Sequence, residues 1–305
     1  MKLKTYSGEL SPATHYDISE DKKMALIIDG NKISTEIKDE TRDKVAELKA
    51  QGKEISLAVV QVGDNPASCV YVRNKKKACE YVGIKSVSHE LPEETTEAEL
   101  LALIDKLNND DTINGILVQL PLPTHMDENK VIDAISPYKD VDGFHLMNVG
   151  ALSTGQNGFI SCTPYGIIQL LKRSGIEIAG KHCVVIGRSN IVGKPMSMLL
   201  LRENGTVTVV HSKTQNMKEI TKQADILVVA IGKPKFVDET FVKEGAVVID
   251  VGINRDEDNK ICGDVDYDKV FDKVSAITPV PGGVGPMTIA MLMNNCLEAA
   301  TKIQK

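Results

Sequence analysis

Short β-branched runs alternate with amphipathic stretches along most of this chain, and that alternation predicts an α/β fold built on parallel sheets. Parallel strands need a long crossover, usually a helix, and crossovers within one sheet are right-handed. The runs fall at 55–62, 84–91 and 113–120, then at 181–187, 207–210, 226–231 and 247–251. Several are apolar on both faces, as strands covered on both sides require. Between them, 32–51, 65–83 and 96–108 carry helical periodicity, and another helix is expected after Thr163-Pro164. Ligands of such sheets gather beyond the carboxyl ends of the strands, so the loops after these runs are where chemistry is expected.

A chain of 305 residues can form two compact domains. The expected division is an N-terminal α/β catalytic domain at 24–148 and a Rossmann-like domain at 149–286. A stretch rich in Gly, Ser, Thr and Asn (148–164) crosses between them, and a C-terminal helix at 287–303 returns to the first domain. Residues 1–23 show no sustained periodicity and are expected to form a flexible extension. They lack the apolar core of a secretory signal, and Asp17, Glu20 and Asp21 do not suit a transit peptide. Met24-Ala-Leu-Ile-Ile makes a natural start to the folded part.

With 42% hydrophobic and 26% charged residues and no bilayer-length apolar run, the composition is that of a soluble globular protein and predicts no membrane role. The net charge of −6 argues against a general nucleic-acid binder, which needs basic surface to displace phosphate counterions. The six cysteines are scattered without a Cys-x-x-Cys pair, and the histidines do not cluster. Reduced thiols in a cytoplasmic protein, and no metal site, are expected.

The helix expected at 65–83 is framed by Asn65 as N-cap, Pro66 at the first helical position and Gly83 as terminator. Tyr71 and Lys75 stand four residues apart on one face. Alone, that spacing favours a solvated basic face of Lys75, Lys76 and Lys77 with Tyr71 as packing. Pro121 and Pro123 cannot donate to a sheet ladder, so the preceding strand should stop near Gln119 and leave its amide at the ligand-facing edge. A loop-satisfying amide is an equal reading of Gln119. Asp140 and Asp142 precede Gly143, a common arrangement in plain turns.

In the second half, Gly187-x-Ser189-x-x-x-Gly193-x-Pro195 lies between a strand and a helix, where free N–H groups and the helix dipole receive phosphate. NAD sites usually place an acid at the end of the next strand, about twenty residues past the first glycine. Here that strand ends in His211-Ser212-Lys213. With Arg188 these residues suit the extra 2′-phosphate of NADP, since Arg and Lys give charge-assisted donors; surface charge is the competing reading. Gly232 and Gly252-Ile253 close two further strands and would let backbone approach a cofactor. The loop 278–288, with three glycines and three prolines, is expected to bridge two ligand sites.

Tyr71-x-x-x-Lys75, Val118-Gln-Leu-Pro-Leu-Pro, Lys139-Asp-Val-Asp-Gly, Gly187-Arg-Ser-x-Ile-Val-Gly-x-Pro and Pro279-Val-Pro-Gly-Gly-Val-Gly-Pro-Met-Thr together resemble the bifunctional methylenetetrahydrofolate dehydrogenase/cyclohydrolase family, in the family's order. The resemblance implies NADP-dependent oxidation of 5,10-methylenetetrahydrofolate and hydrolysis of the methenyl product to 10-formyltetrahydrofolate. It implies that Lys75 is the main catalytic group, Tyr71 stacks on the folate, Gln119 positions Lys75 and Asp142 anchors the pterin. It places Pro281, Gly282, Gly283, Val284 and Gly285 on the folate side. Gly187, Arg188, Ser189, Ile191 and Gly193 fall on the NADP side, and a homodimer is the implied assembly. Two other readings stand beside it: a Rossmann dehydrogenase of an amino or hydroxy acid using Lys75, and a catalytically inert nucleotide-binding module.

Overall fold

The structure, a computed structural model, describes residues 24–301. The extension expected at 1–23 and the end of the closing helix at 302–303 lie outside the described residues.

The first half runs β1 (Leu26–Ile27), α1 (Gly30–Ala50), β2 (Ser56–Val62), α2 (Pro66–Val82), β3 (Lys85–Leu91), α3 (Glu97–Asn108), β4 (Gly115–Val118) and α4 (Glu128–Ala134). There follow α5 (Leu146–Thr154), α6 (Cys162–Arg173), β5 (His182–Ile186), α7 (Gly193–Arg202), β6 (Thr206–Val210) and α8 (Met217–Thr221). The chain ends with β7 (Ile226–Val229), β8 (Val247–Asp250), β9 (Asn254–Arg255), β10 (Ile261–Cys262), α9 (Tyr267–Val270), β11 (Ala276–Ile277) and α10 (Val284–Thr301).

Two parallel sheets result. One has the order β3-β2-β4, the other β1-β11-β8-β7-β5-β6, with β9 and β10 as a small antiparallel hairpin. Side chains alternate across each strand. Leu57, Val59 and Leu117 of the first sheet and Val185, Val228 and Ile249 of the second join one core with α1, α2, α6 and α10. On the opposite face of β2, Ala58 and Val60 pack with Leu100, Ile104 and Leu107 of α3. Val184, Leu227 and Val248 face the other side of the larger sheet. A layer of helices therefore lies between the two sheets, and the strand ends beside it form the cleft.

The expected α/β architecture is present, and three local expectations need correction. The segment at 24–28, expected to begin the catalytic domain, carries β1, which pairs in parallel with β11 and adds an edge strand to the sheet of the second half. The crossing at 148–164 contains most of α5, capped by Gly155 at φ 72°. The closing helix begins at Val284, taking Val284 and Gly285 of the glycine-rich loop into its first turn.

Candidate active site and cofactor cleft

Helix α2 starts and stops where its caps dictate. Asn65 Oδ1 accepts from the Ser68 N–H at 3.2 Å, while Gly83, at φ 82°, lets Ile84 N–H return to the Cys79 carbonyl at 2.9 Å. The resulting rotation buries Val72, Cys79 and Val82 and gives the three consecutive lysines different surroundings. Lys75 is 7% exposed, Lys76 pairs with Glu90 at 2.6 Å, and Lys77 stays exposed.

A buried ammonium is costly without a partner. Lys75 Nζ donates to Gln119 Oε1 at 3.0 Å, and the other end of that amide donates from Nε2 to the Leu120 carbonyl at 2.6 Å. The two partners fix which way the amide points. Strand β4 ends at Val118, and the Gln119 N–H still reaches the Val60 carbonyl at 2.8 Å, so Gln119 stands at the last rung of the ladder.

Asp142 comes to the same place on a braced turn. Asp140, 1% exposed, accepts from the Gly143 and His145 N–H groups and from Asn148 Nδ2 at 3.1, 2.8 and 2.9 Å. Gly143 has φ 76°, and a Cβ there would stand 2.6 Å from the Ser161 nitrogen. Asn295 of α10 closes the brace, donating to the carbonyls of Val141 and Ile160 at 2.9 and 3.0 Å. Burial pushes the Asp142 carboxyl up, Lys75 opposes this and Asp140 adds to it. Burial likewise raises the Tyr71 phenol.

Tyr71, Lys75, Gln119 and Asp142 line one cavity of about 330 Å³, with Gly285 and Ile191 among its other walls. Ile191, expected on the cofactor side, thus reaches the wall beside Lys75. Thr163 and Thr288 meet across the same cavity at 2.9 Å between their hydroxyls.

Most of the glycine-rich loop turns elsewhere. Pro281, Gly282, Gly283 and Val284 line a neighbouring cavity of about 630 Å³, together with Gly252 and Ile253 from the end of β8. Gly285 borders both cavities. The loop packs tightly on the start of α1: a Cβ on Gly30 would stand 1.8 Å from the Gly283 carbonyl oxygen.

At the carboxyl ends of β5 and β6, Gly187, Arg188, His211 and Ser212 line a third cavity of about 310 Å³, with Lys233 and Phe236 opposite. Gly193 passes so close to the β5 end that a Cβ would lie 2.4 Å from the Gly187 carbonyl oxygen. Ser189 turns inward, its Oγ accepting from the Val192 and Gly193 N–H groups at 3.2 Å each. Gly232 has φ 63°, and its N–H is held by Asp264 at 3.0 Å. Lys213 is exposed and is not among the residues lining this cavity. No acid lines it, and Arg188 and Lys233 do, so the donor set fits a dinucleotide with an added phosphate.

The family descriptions that match are tetrahydrofolate dehydrogenase/cyclohydrolase, catalytic domain, over residues 28–142, and the NAD(P)-binding domain of the same family over residues 161–304. The chain belongs to the tetrahydrofolate dehydrogenase/cyclohydrolase family. It is 73% identical over 281 residues to the bifunctional protein FolD of Lachnoclostridium phytofermentans, covering 92% of this chain and all of that one. The FolD of Listeria innocua is 60% identical over 282 residues, 92% of this chain and 99% of that one. Among solved structures, the Campylobacter jejuni FolD methylenetetrahydrofolate dehydrogenase/cyclohydrolase matches with TM-score 0.90 and 52% identity, over 91% of this chain and 99% of that one. The Trypanosoma brucei enzyme, complexed with NADP cofactor and inhibitor, matches with TM-score 0.87 and 38% identity over 92% and 98%.

Several residues that line or brace these cavities carry no functional signal in the sequence. Thr288 stood inside a quoted motif, and Thr163 beside an expected helix start, without any sign that they meet. Lys233 and Phe236 follow Gly232 in a segment read only for its glycine. Asn295 carries no motif, and only its 1% exposure and its two carbonyl partners reveal it.

Proposed function

We propose that the chain oxidises 5,10-methylenetetrahydrofolate to the 5,10-methenyl form with NADP and hydrolyses that product to 10-formyltetrahydrofolate, both reactions occurring beside Lys75. Identity of 73% over 92% of this chain to a protein named bifunctional supports the reading. The observation that carries it is the Lys75–Gln119 bond of 3.0 Å in a cavity shared with Tyr71 and Asp142.

In the first reaction, binding sets the geometry. The half-buried ring of Tyr71 offers a flat face for the pterin, and the Asp142 carboxyl anchors its polar edge. Bound NADP supplies a hydride acceptor. The turn of Gly187, Ser189 and Gly193 would hold its phosphates, Arg188 with His211 and Ser212 its 2′-phosphate end, and Gly232, Gly252 and Ile253 its approach along the strand ends. Holding donor and acceptor at contact distance is the protein's main contribution.

In the second reaction, water adds to the methenyl carbon and loses a proton to leave a carbinol; its hydroxyl then loses its own proton as the C=O forms and the bond from that carbon to N5 breaks, N5 taking up a proton. The net reaction consumes one water and releases one proton. We assign the proton transfers to Lys75, oriented by Gln119. Of the glycine-rich loop, Gly285 borders the folate cavity on this reading.

Residues 24–148 with the closing helix form the catalytic unit on this reading, and 149–286 the cofactor unit. A cytoplasmic homodimer pairing through the cofactor unit completes it. Among the described residues, no helix is long and apolar enough to cross a membrane. The test is purified protein with methylenetetrahydrofolate and NADP. NADPH should form and the methenyl absorbance should then decay; absence of folate turnover would refute the reading.

A further inference from the structure

We propose that Asp264, buried beneath the cofactor cleft, is a positioning residue for cofactor choice: its carboxylate holds the turn at 231–233 and so aims Lys233 at the 2′-phosphate that distinguishes NADP from NAD. The inference rests on the placing of that phosphate beside Arg188, His211 and Ser212, and adds to it the group that acts from below.

The ladder beyond β7 stops at Ala230, whose N–H reaches the Ile186 carbonyl at 2.8 Å. Gly232, at φ 63°, turns the next N–H groups to one side, a concavity of the kind that attracts anions. An acid of the chain itself fills it. Asp264 Oδ2 accepts from the Ile231 and Gly232 N–H groups at 2.7 and 3.0 Å, and Oδ1 accepts from the Lys233 N–H and from Asn254 Nδ2 at 2.8 Å each. Those backbone donors are therefore closed to a ligand phosphate, and what this strand end offers the cavity is the Lys233 side chain. Among the described residues Lys233 forms no ion pair, and its Nζ lies 5.5 Å from the centre of the Phe236 ring, which lines the same cavity.

Asp264 can hold the turn because it is itself held. It is 0% exposed; its N–H donates to Asp250 Oδ1 at 2.9 Å, and its carbonyl accepts from the Val237 N–H at 2.9 Å. On either side of it, the Gly263 carbonyl accepts from the Lys235 N–H at 3.0 Å and the Val265 N–H donates to Asp250 Oδ2 at 2.9 Å. A Cβ on Gly263 would stand 1.8 Å from that same oxygen, so the segment lies directly against Asp250.

Each oxygen of this carboxylate takes two donors, which an amide of the same size cannot match. Asparagine keeps one acceptor oxygen and points an NH2 group at two of the four donors. Asp264→Asn therefore loosens the turn without opening a cavity. It also separates two effects by sign. Removing a negative charge beneath the cleft would by itself favour a phosphate, whereas releasing Lys233 disfavours one.

The test is calorimetry on the cofactor-free protein, comparing adenosine 2′,5′-bisphosphate with 5′-AMP for the wild type, D264N, K233Q and the double variant. Exposed ion pairs contribute about fivefold or less, so the wild-type preference for the bisphosphate should fall about two- to fivefold in K233Q and by a similar factor in D264N. The double variant should lose no more than either single one, because Asp264 acts through Lys233. An unchanged preference in K233Q, a further fall in the double variant, or a D264N preference at or above that of the wild type would each overturn the proposal. The last includes equal weakening of both ligands, which is what a merely structural role gives. Hydrogen exchange needs no variant: the amides at 231–233 should exchange slowly in the ligand-free wild type, and rapid exchange there would overturn the proposal even if D264N fails to fold. A wild type that binds the two ligands equally would refute the placing of the 2′-phosphate, and the proposal with it; a wild-type preference that D264N retains refutes the role of Asp264 alone.

Discussion

Replacing Gln119 with Met keeps the length of the side chain and removes the acceptor of the buried Lys75 ammonium, at present 3.0 Å away. Lys75 is only 7% exposed, so water replaces that acceptor poorly. Hydrogen bonds to charged groups contribute about 1.5–3 kcal/mol, which corresponds to about 10- to 150-fold in rate if the bond serves the transition state. The assay is decay of methenyl absorbance under saturating and limiting substrate, with thermal unfolding as the control for folding. A loss mainly in kcat is expected, because the bond orients a reacting group more than it binds ground-state folate. Gln119→Glu sharpens the test. It restores an acceptor but places a carboxylate against the Lys75 amine, so it should also lose hydrolysis if the neutral amide is what orients the reacting group. Gln119→Met within about twofold of wild type would refute the reasoning, since the threshold for any single charged hydrogen bond lies well above that.

Arg188→Ala should lower kcat/KM for NADP by about tenfold or more while leaving NAD little affected, as loss of a charge-assisted donor to phosphate requires. Equal losses for both cofactors would show that Arg188 does not read the 2′-phosphate. Asn295→Ala strips the partner from two buried carbonyls, at about 1–3 kcal/mol each, and should lower the melting temperature by several degrees. A shift under about 1 °C would contradict the brace described for the Asp142 turn. Burial pushes Asp250 from 3.8 to about 7 in the folded chain. The folded state then binds that proton more tightly than the unfolded state, so this group's contribution falls as pH rises from about 4 to 7. Melting temperatures across that range should show a decline that Asp250→Asn flattens; parallel profiles would count against it.

How much of this was legible depended on whether the signal was local. Asn65, Pro66 and Gly83 announce α2, and the observed helix, Pro66–Val82, fits inside those caps because capping is decided within a few residues. The two prolines after Gln119 likewise marked the strand end. The inward turn of Lys75 could not be read from its spacing, since Lys76 and Lys77 are chemically identical neighbours; the resemblance supplied it, and the packing of Val72 and Cys79 explains it. Strand β1 is two residues long and pairs with a segment 250 positions away, so it leaves no periodicity to detect. Helix α5 sits in a stretch whose Gly, Ser, Thr and Asn content reads as a loop. The separation of Pro281–Val284 from the Lys75 cavity depends on α10 starting at Val284, with Gly285 turned toward both spaces.

The central claim is that Lys75, held by Gln119 in the cavity of Tyr71 and Asp142, performs folate chemistry. A coupled assay on the wild type and Lys75→Met addresses it most directly, following NADPH formation and methenyl decay in one cuvette. The account predicts both signals for the wild type, and loss of methenyl hydrolysis by at least about 100-fold in a Lys75→Met protein that still folds, the scale of an acid–base group. Full hydrolysis by Lys75→Met would contradict it.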